Sequence, residues 1–412
     1  MKCLVNLAGS AAIASVLMVS GCFNSDNKLS SVSESDVIAN MANIAGAMYS
    51  DSLTDAKTLK TKIDTFVASP TEETLESARE AYKDMRVAYQ QSEIFRWDEE
   101  SGVAGEGTGA DDGKGVVSVD SWEGQVNAWP LDEAAIDGII SSSAEISKGY
   151  LIAQNGIGGD ANVTTGIHAI EYLLWGLDTN KVGKGTGERP ATDYDKVNCS
   201  VGHCARRGEY LSTAAALLVS DLDAMANEWT EMAQATSGTL ANNFINSSKA
   251  LDYVVTAMQQ MSGPELAGAR MSVNLDSAGQ EEDHDCFSDL SHVAIYHNFQ
   301  GIKAVFSGDY LGATPKSGAG INDLVSRKSS TTSSDLNKAF DAIEGNMKIV
   351  FDAGESGTRF DHVSALGKGN AVFDAATQVV NDLTALTVSG GLYDDMEAAL
   401  SVSNVSVSEG EG

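Results

Sequence analysis

Gly166-Ile167-His168-Ala169-Ile170-Glu171-Tyr172-Leu173-Leu174-Trp175-Gly176 is the stretch on which the reading of this chain turns. Thr164 and Thr165 stand where a helix is capped, and Gly176 stands where one ends in a residue of positive φ. Ile167, Ile170, Leu174 and Leu177 recur at three- and four-residue spacing, the core stripe of an amphipathic helix. At about 100° per residue, His168, Glu171, Tyr172 and Trp175 fall on a second arc. A solvent face would carry Lys, Glu and Ser. An imidazole, a carboxyl, a phenol and an indole predict a helix covered on both sides. His168 and Glu171, three apart on a buried face, can together grip a metal ion or polar ligand. The same spacing also serves a self-satisfied hydrogen bond in a bundle core.

Outward from this helix the chain repeats one pattern. Residues 35–49 carry Val37, Met41, Ile44, Ala45 and Met48, and residues 52–67 carry Leu53, Leu59, Ile63 and Phe66, two amphipathic helices. Ser69-Pro70-Thr71-Glu72-Glu73 is a helix start, and its helix runs through Leu75, Tyr82, Met85 and Tyr89 to Phe95. Pro130 with Asp132 and Glu133 opens further helices that reach residue 154. After Arg206-Arg207-Gly208 come helices over 210–233, 240–261, 264–271, 284–306, 336–351 and 371–386. Alternating Val, Ile and Thr are scarce, so the fold class is all-α. The second series matches the first in helix number and length, as two related bundles would, with a border near residue 205. The expected organisation is a bundle over 36–205, a bundle over 206–402 and a tail over 403–412. Long irregular loops over 98–121 and 178–205 interrupt it. Asp111-Asp112-Gly113 lacks the alternating oxygens of a calcium loop and reads as a solvated insertion.

The chain has 412 residues, more than one ordinary core accommodates. Met1-Lys2, an apolar run through Val19 and Ser20-Gly21-Cys22 read as a signal peptide over 1–21, too short to span a membrane comfortably. Cys22 is the expected lipidated N-terminus, followed by a Ser- and Asn-rich tether over 22–35. The expected address is the periplasm, on the outer membrane, held by the lipid anchor alone. The formal net charge of −31 excludes nucleic acid as a partner and attracts cations. Cys199 and Cys204 enclose a four-residue loop that a disulfide would close. The alternative zinc knuckle around His203 lacks a second pair nearby. Cys286 is left as a buried free thiol.

Polar chemistry collects in three further segments. Arg86, Tyr89, Glu93 and Arg96 share a helix face, either as an ion-paired surface or with Glu93 facing His168 as a second carboxylate. Glu281 to His292 holds His284, Ser288, Asp289 and His292. The two histidines there lie eight residues apart, too far along a helix for one ion. Arg189-Pro190-Ala-Thr-Asp193-Tyr194 is a loop placed to cover a site.

These segments, in order, resemble the imelysin-like family. Gly166-x-His168-x-x-Glu171 matches its signature, and Tyr89-Gln-Gln-Ser-Glu93-Ile-Phe95-Arg96 and Trp129-Pro-Leu-Asp132 resemble two other blocks. The Arg189–Tyr194 loop, Cys-x4-Cys-x-Arg206-Arg207-Gly208 and His284-x-Cys286-Phe-Ser288-Asp289-x-x-His292 are similar to the branch called iron-regulated protein A. Trp97-Asp98 and Leu290 depart from the pattern. The resemblance implies two packed four-helix-bundle domains, polar residues at a cleft between them and a periplasmic role in iron acquisition. On that reading His168, Glu171 and Glu93 are ligands of a transition metal, iron favoured over zinc. Arg86, Tyr89, Arg96, Tyr172, Trp175, Arg189, Asp193, His284, Ser288, Asp289 and His292 line the cleft. A periplasmic uptake or redox partner would accept the metal ion or iron compound. Family members also carry the label metallopeptidase. Residue 172, which would complete a His-x-x-Glu-His zinc motif, is Tyr, and Glu171 cannot be both ligand and base. A peptide- or partner-binding scaffold without metal is the remaining alternative.

Overall fold

Helix α1, Glu34–Ala68, joins what the sequence divides into two helices. No Gly or Pro separates residues 49 and 52, and the polar residues at the join are satisfied inside. Ser52 Oγ donates to the Met48 carbonyl at 2.8 Å, while Asp51 Oδ2 accepts from the Tyr310 hydroxyl at 2.8 Å. Ser33 and Asp36 form a capping box, so the helix begins inside the stretch read as tether. The molecule is known from a computed structural model that describes residues 32–96, 122–179, 185–277 and 283–403. The expected signal peptide, Cys22, most of the tether, Trp97, the 98–121 loop and nearly all of the tail lie outside the described residues.

Helix α2, Glu72–Ser92, starts at Thr71 as its sequence dictates and turns through a 3₁₀ segment, Glu93–Phe95. Shorter helices follow, among them α3, Glu123–Val126; α4, Glu133–Ser141; and α5, Gly166–Trp175. Asp132 caps α4, accepting from the Ala134 amide at 2.9 Å. Helix α6, Cys204–Glu228, comes after the expected border, yet it packs on α1 and α5. Helices α1, α2, α5 and α6 thus form one packed group.

The second group begins with α7, Ala250–Gln260, which continues without a break as a π-helical segment, Met261–Ser272. Residues 240–261, expected as one helix, include a separate short helix, Leu240–Asn246. Helices α8, Ser291–Ser307, and α10, Ala371–Thr387, pack on the π segment, and α9, Ser330–Glu355, packs on both of them. The helix expected from His284 starts only at Ser291. Residues 283–290 form an irregular turn in which Asp289 takes φ 53°. The Ser291 hydroxyl accepts the Asp285 amide at 2.8 Å, fixing the end of that turn.

The two groups meet where α2 crosses α8. Contact there is backbone to backbone: a Cβ on Gly301 would stand 2.4 Å from the Gln91 carbonyl oxygen. Apolar side chains of both groups belong to one continuous core. The fold is all-α; among the described residues the only strands are the paired dipeptides Asp309–Tyr310 and Lys316–Ser317. No described helix is long and apolar enough to cross a membrane. Cys199 and Cys204 are disulfide-bonded, and Cys286, which is outside the disulfide, is half-buried rather than fully enclosed.

Candidate functional site

Every residue of α5 is buried, so both of its faces are covered as the residue types require. Ile167, Ile170 and Leu174 form the apolar stripe; Leu177 lies past the helix end and is exposed. The threonines do not cap. Thr164 Oγ1 donates to the Leu151 carbonyl and Thr165 Oγ1 to the Gln125 carbonyl, tying the helix start to its neighbours. Gly166 sits at φ 79°, and a Cβ there would come within 2.4 Å of the Val126 carbonyl oxygen. Only glycine meets both conditions, so the first residue of the motif holds α5 against α3.

His168 and Glu171 are completely buried, with His168 Nδ1 2.9 Å from Glu171 Oε2. Glu171 Oε1 accepts from the backbone amide and hydroxyl of Ser288, at 2.9 and 2.7 Å. A turn of the second group therefore clamps the acid of the first. Burial, with Asp285 close by, pushes Glu171 up to about 8 against those bonds. The His168 ring faces the His284 ring edge-on, 4.8 Å between centres, and Trp129 packs on His168 at 5.2 Å. Burial holds both imidazoles neutral, His168 at about 3 and His284 at about 4. His168 Nε2 has no hydrogen-bond partner.

Asp285 completes this group. Its carboxylate lies 3.2 Å from His284 Nδ1 and 2.7 Å from the Arg86 guanidinium. Although burial works the other way, Arg86 and the two histidines hold Asp285 well below the usual carboxylate range. Donor atoms of His168, His284 and Asp285 converge within 4.8 Å of one another, a spacing that one metal ion can bridge. This is not the trio read from the sequence. Glu171 orients His168, and Glu93 is engaged elsewhere.

Glu93 is gripped by Arg270 through both oxygens, at 2.7 and 3.0 Å. Asn127 and Asn298 donate to it at 2.9 and 2.7 Å. Despite burial, Arg270 and Arg96 bring Glu93 down to about 2. Arg96 also pairs with Glu123 at 2.8 Å and Glu265 at 3.0 Å. Tyr89 points its hydroxyl toward Glu123 at 3.5 Å. Burial raises Glu123 to about 7 even beside Arg96. A cavity of about 640 Å³ opens next to this network, lined by Glu123, Asn127, Trp129, Glu265, Arg270 and His284 among others.

The remaining expected residues fall outside this group. Arg189 stacks over Tyr172 at 5.0 Å and reaches Asp193 at 3.4 Å, beside a smaller recess of about 270 Å³. Trp175 packs edge-on against Tyr82. His292 bonds to the Asp289 carbonyl and to Glu355, away from His284. Asp289 is buried beside Asp178 and Asp361, and burial together with Asp361 pushes it up to about 8.

Sequence reasoning passes over Asp285, Asn127, Glu123, Glu265 and Arg270. Helical spacing of three or four cannot pair Glu265 with Arg270. In the π-helical segment, where hydrogen bonds span five residues, Arg270 Nε donates to Glu265 Oε1 at 2.8 Å.

The chain matches the family model Imelysin (Peptidase_M75) over residues 45–389. No curated protein matches it. Two solved structures share the fold. One is a putative iron-regulated protein A precursor from Parabacteroides distasonis, with 19% identity and a TM-score of 0.64, covering 92% of this chain and 97% of that one. The other is an imelysin-like protein from Psychrobacter arcticus, with 11% identity and a TM-score of 0.55, covering 90% of this chain and 98% of that one. With the family model spanning most of its length, this chain belongs to the imelysin family.

Proposed function

We propose that this protein is an exported, lipid-anchored binder of a transition-metal ion or its complex, iron favoured and zinc the other candidate, serving iron uptake. The observation behind this reading is the pair of facing imidazoles, His168 and His284, with Asp285 alongside. Neutral rings offer lone pairs, and the Glu171 carboxyl group at His168 Nδ1 leaves the Nε2 of that ring to face a metal. The unpartnered His168 Nε2 fits that role. Two imidazoles and a carboxylate suit iron(II) and also zinc. Glu171 and Ser288 would fix the His168 ring, and the bound ion would offset the buried charge of Asp285. Arg86 already offsets part of that charge. The net charge of −31 raises the local cation concentration, and the adjoining cavity has room for a chelated ion. The iron-regulated label of the Parabacteroides neighbour agrees with this role.

Metal analysis of dialysed protein tests the proposal. After loading with iron(II) or zinc, the wild type should keep about one ion per chain. His168→Ala combined with His284→Ala should keep none while retaining its helical circular dichroism. A wild type that retains no iron(II), zinc or manganese would overturn the reading. The hydrolase alternative has one foothold: Glu123, near 7 and lining the cavity, has the proton affinity of a general base. Casein cleavage that disappears in Glu123→Gln would favour it.

A further inference from the structure

A second group of acids lies apart from the imidazoles. Asp178 follows the end of α5, Asp289 sits in the turn before α8, and Asp361 lies in the 3₁₀ turn Phe360–His362 beyond α9. Chain segments far apart in sequence thus bring three carboxyl groups together, one oxygen of each within 4.8 Å of the others. Two oxygens that each lie about 2.4 Å from one calcium ion can be at most about 4.8 Å apart. Acids grouped at a surface need no ion, but these are not all at a surface. Asp289 is 1% exposed and Asp361 is 6% exposed. Neither oxygen of Asp289 has a hydrogen-bond partner, while Asp361 Oδ1 lies 3.1 Å from His362 Nδ1. A buried carboxyl group without hydrogen bonds is costly unless something of opposite charge meets it. Arg359 contributes positive charge nearby, but it is no hydrogen-bond partner of Asp289.

The geometry assigns to Asp178, Asp289 and Asp361 a second cation site, for a hard divalent ion of the calcium class. The donors are all oxygen, which suits calcium and contrasts with the nitrogen-containing set at His168 and His284. Asp178 is only partly buried, so water can complete the coordination shell. The ion would tie the end of α5 to the turn before α8 and to the segment after α9. Asp289 adjoins Ser288, the residue that clamps Glu171. The site is therefore a positioning device: it holds the Ser288 turn against the motif helix.

Calorimetric titration of chelator-treated, dialysed protein with calcium chloride tests this. The expected result is one calcium ion per chain, with at least tenfold weaker binding in Asp289→Asn and in Asp361→Asn. Should either variant fail to fold, the part-exposed Asp178→Asn serves instead, with the same expectation. His168→Ala should bind calcium as the wild type does, so failure here is distinct from failure of the transition-metal site. Absence of calcium binding at 10 mM or below, or binding that all three aspartate variants leave unchanged, would overturn the proposal.

Discussion

Arg270 is the side chain that the buried charge can least afford to lose. It meets Glu93 through two nitrogens, Glu265 through Nε, and the Gln90 and Asn298 side-chain carbonyls at 2.9 and 2.8 Å. Replacing it with Met would leave Glu93 ionised in the interior with only Arg96, at 3.4 Å, as counter-charge. Breaking a buried pair from one side costs about 3–5 kcal/mol. Urea denaturation of Arg270→Met should show a loss of that size. Glu93→Gln should cost less, because Arg270 keeps Glu265 and the Asn298 carbonyl. Equal losses in the two variants would mean that Arg270 gains nothing from Glu265 and the Asn298 carbonyl once the Glu93 charge is gone. The contrast bears on function as well, since Arg270 and Glu265 line the cavity beside His284.

At the scale of elements, the motif helix is held by its first glycine. Gly166→Ala would place a methyl group against the Val126 carbonyl and force a residue with a side chain to φ 79°. The backbone strain alone is worth about 1–3 kcal/mol, and the clash adds to it. Thermal melting should show a clear drop. Gly138→Ala in α4, where a Cβ meets nothing within 4 Å, should be neutral or stabilising by up to about 1 kcal/mol. A Gly166→Ala that melts like the wild type would mean that α5 shifts freely against α3. Residues 166–176 announced such a helix through their composition, because apolar stripe and polar arc together leave no solvent face. The stretch over 72–95 was equally legible, since Thr71, Glu72 and Glu73 are local signals. Asp285 and Arg270 were not. Their roles depend on contacts across α2 and the π-helical segment, which periodicity along one helix cannot reveal. The turn over 283–290 misled for a related reason. Its acids resemble a helix start, but they point inward, to Arg86 and to Asp361.

For the whole molecule, buried ionisable groups make stability depend on pH in a direction that can be worked out. Glu123, Glu171 and Asp289 titrate at about 7, 8 and 8 when folded, against 4.5, 4.5 and 3.8 for the free side chains. A raised carboxyl keeps its proton in the folded state after the unfolded chain has released it. Its contribution is present at low pH and is lost as pH climbs toward the folded value. His168, His284, His292 and His297 act in the opposite sense. Burial lowers them to about 3, 4, 4 and 4, so acid below 6.5 favours the unfolded chain, which takes up their protons. Between about pH 4.5 and 6.5 the two sets oppose each other, and stability should change little. Above 6.5 the histidines are neutral in both states and only the carboxyl groups still count. Each then removes about 1.4 kcal/mol per pH unit until it ionises. Calorimetry of metal-free protein should accordingly show Tm falling by several degrees from pH 6.5 to 8. The double variant Glu171→Gln with Asp289→Asn should lose part of that slope, because it removes two of the raised carboxyl groups, while buried Asp283, also raised well above its ordinary value, keeps its share. A Tm that holds steady or rises over the same interval in the wild type would mean that these carboxyl groups are already ionised in the interior, held by charge that the protein itself supplies.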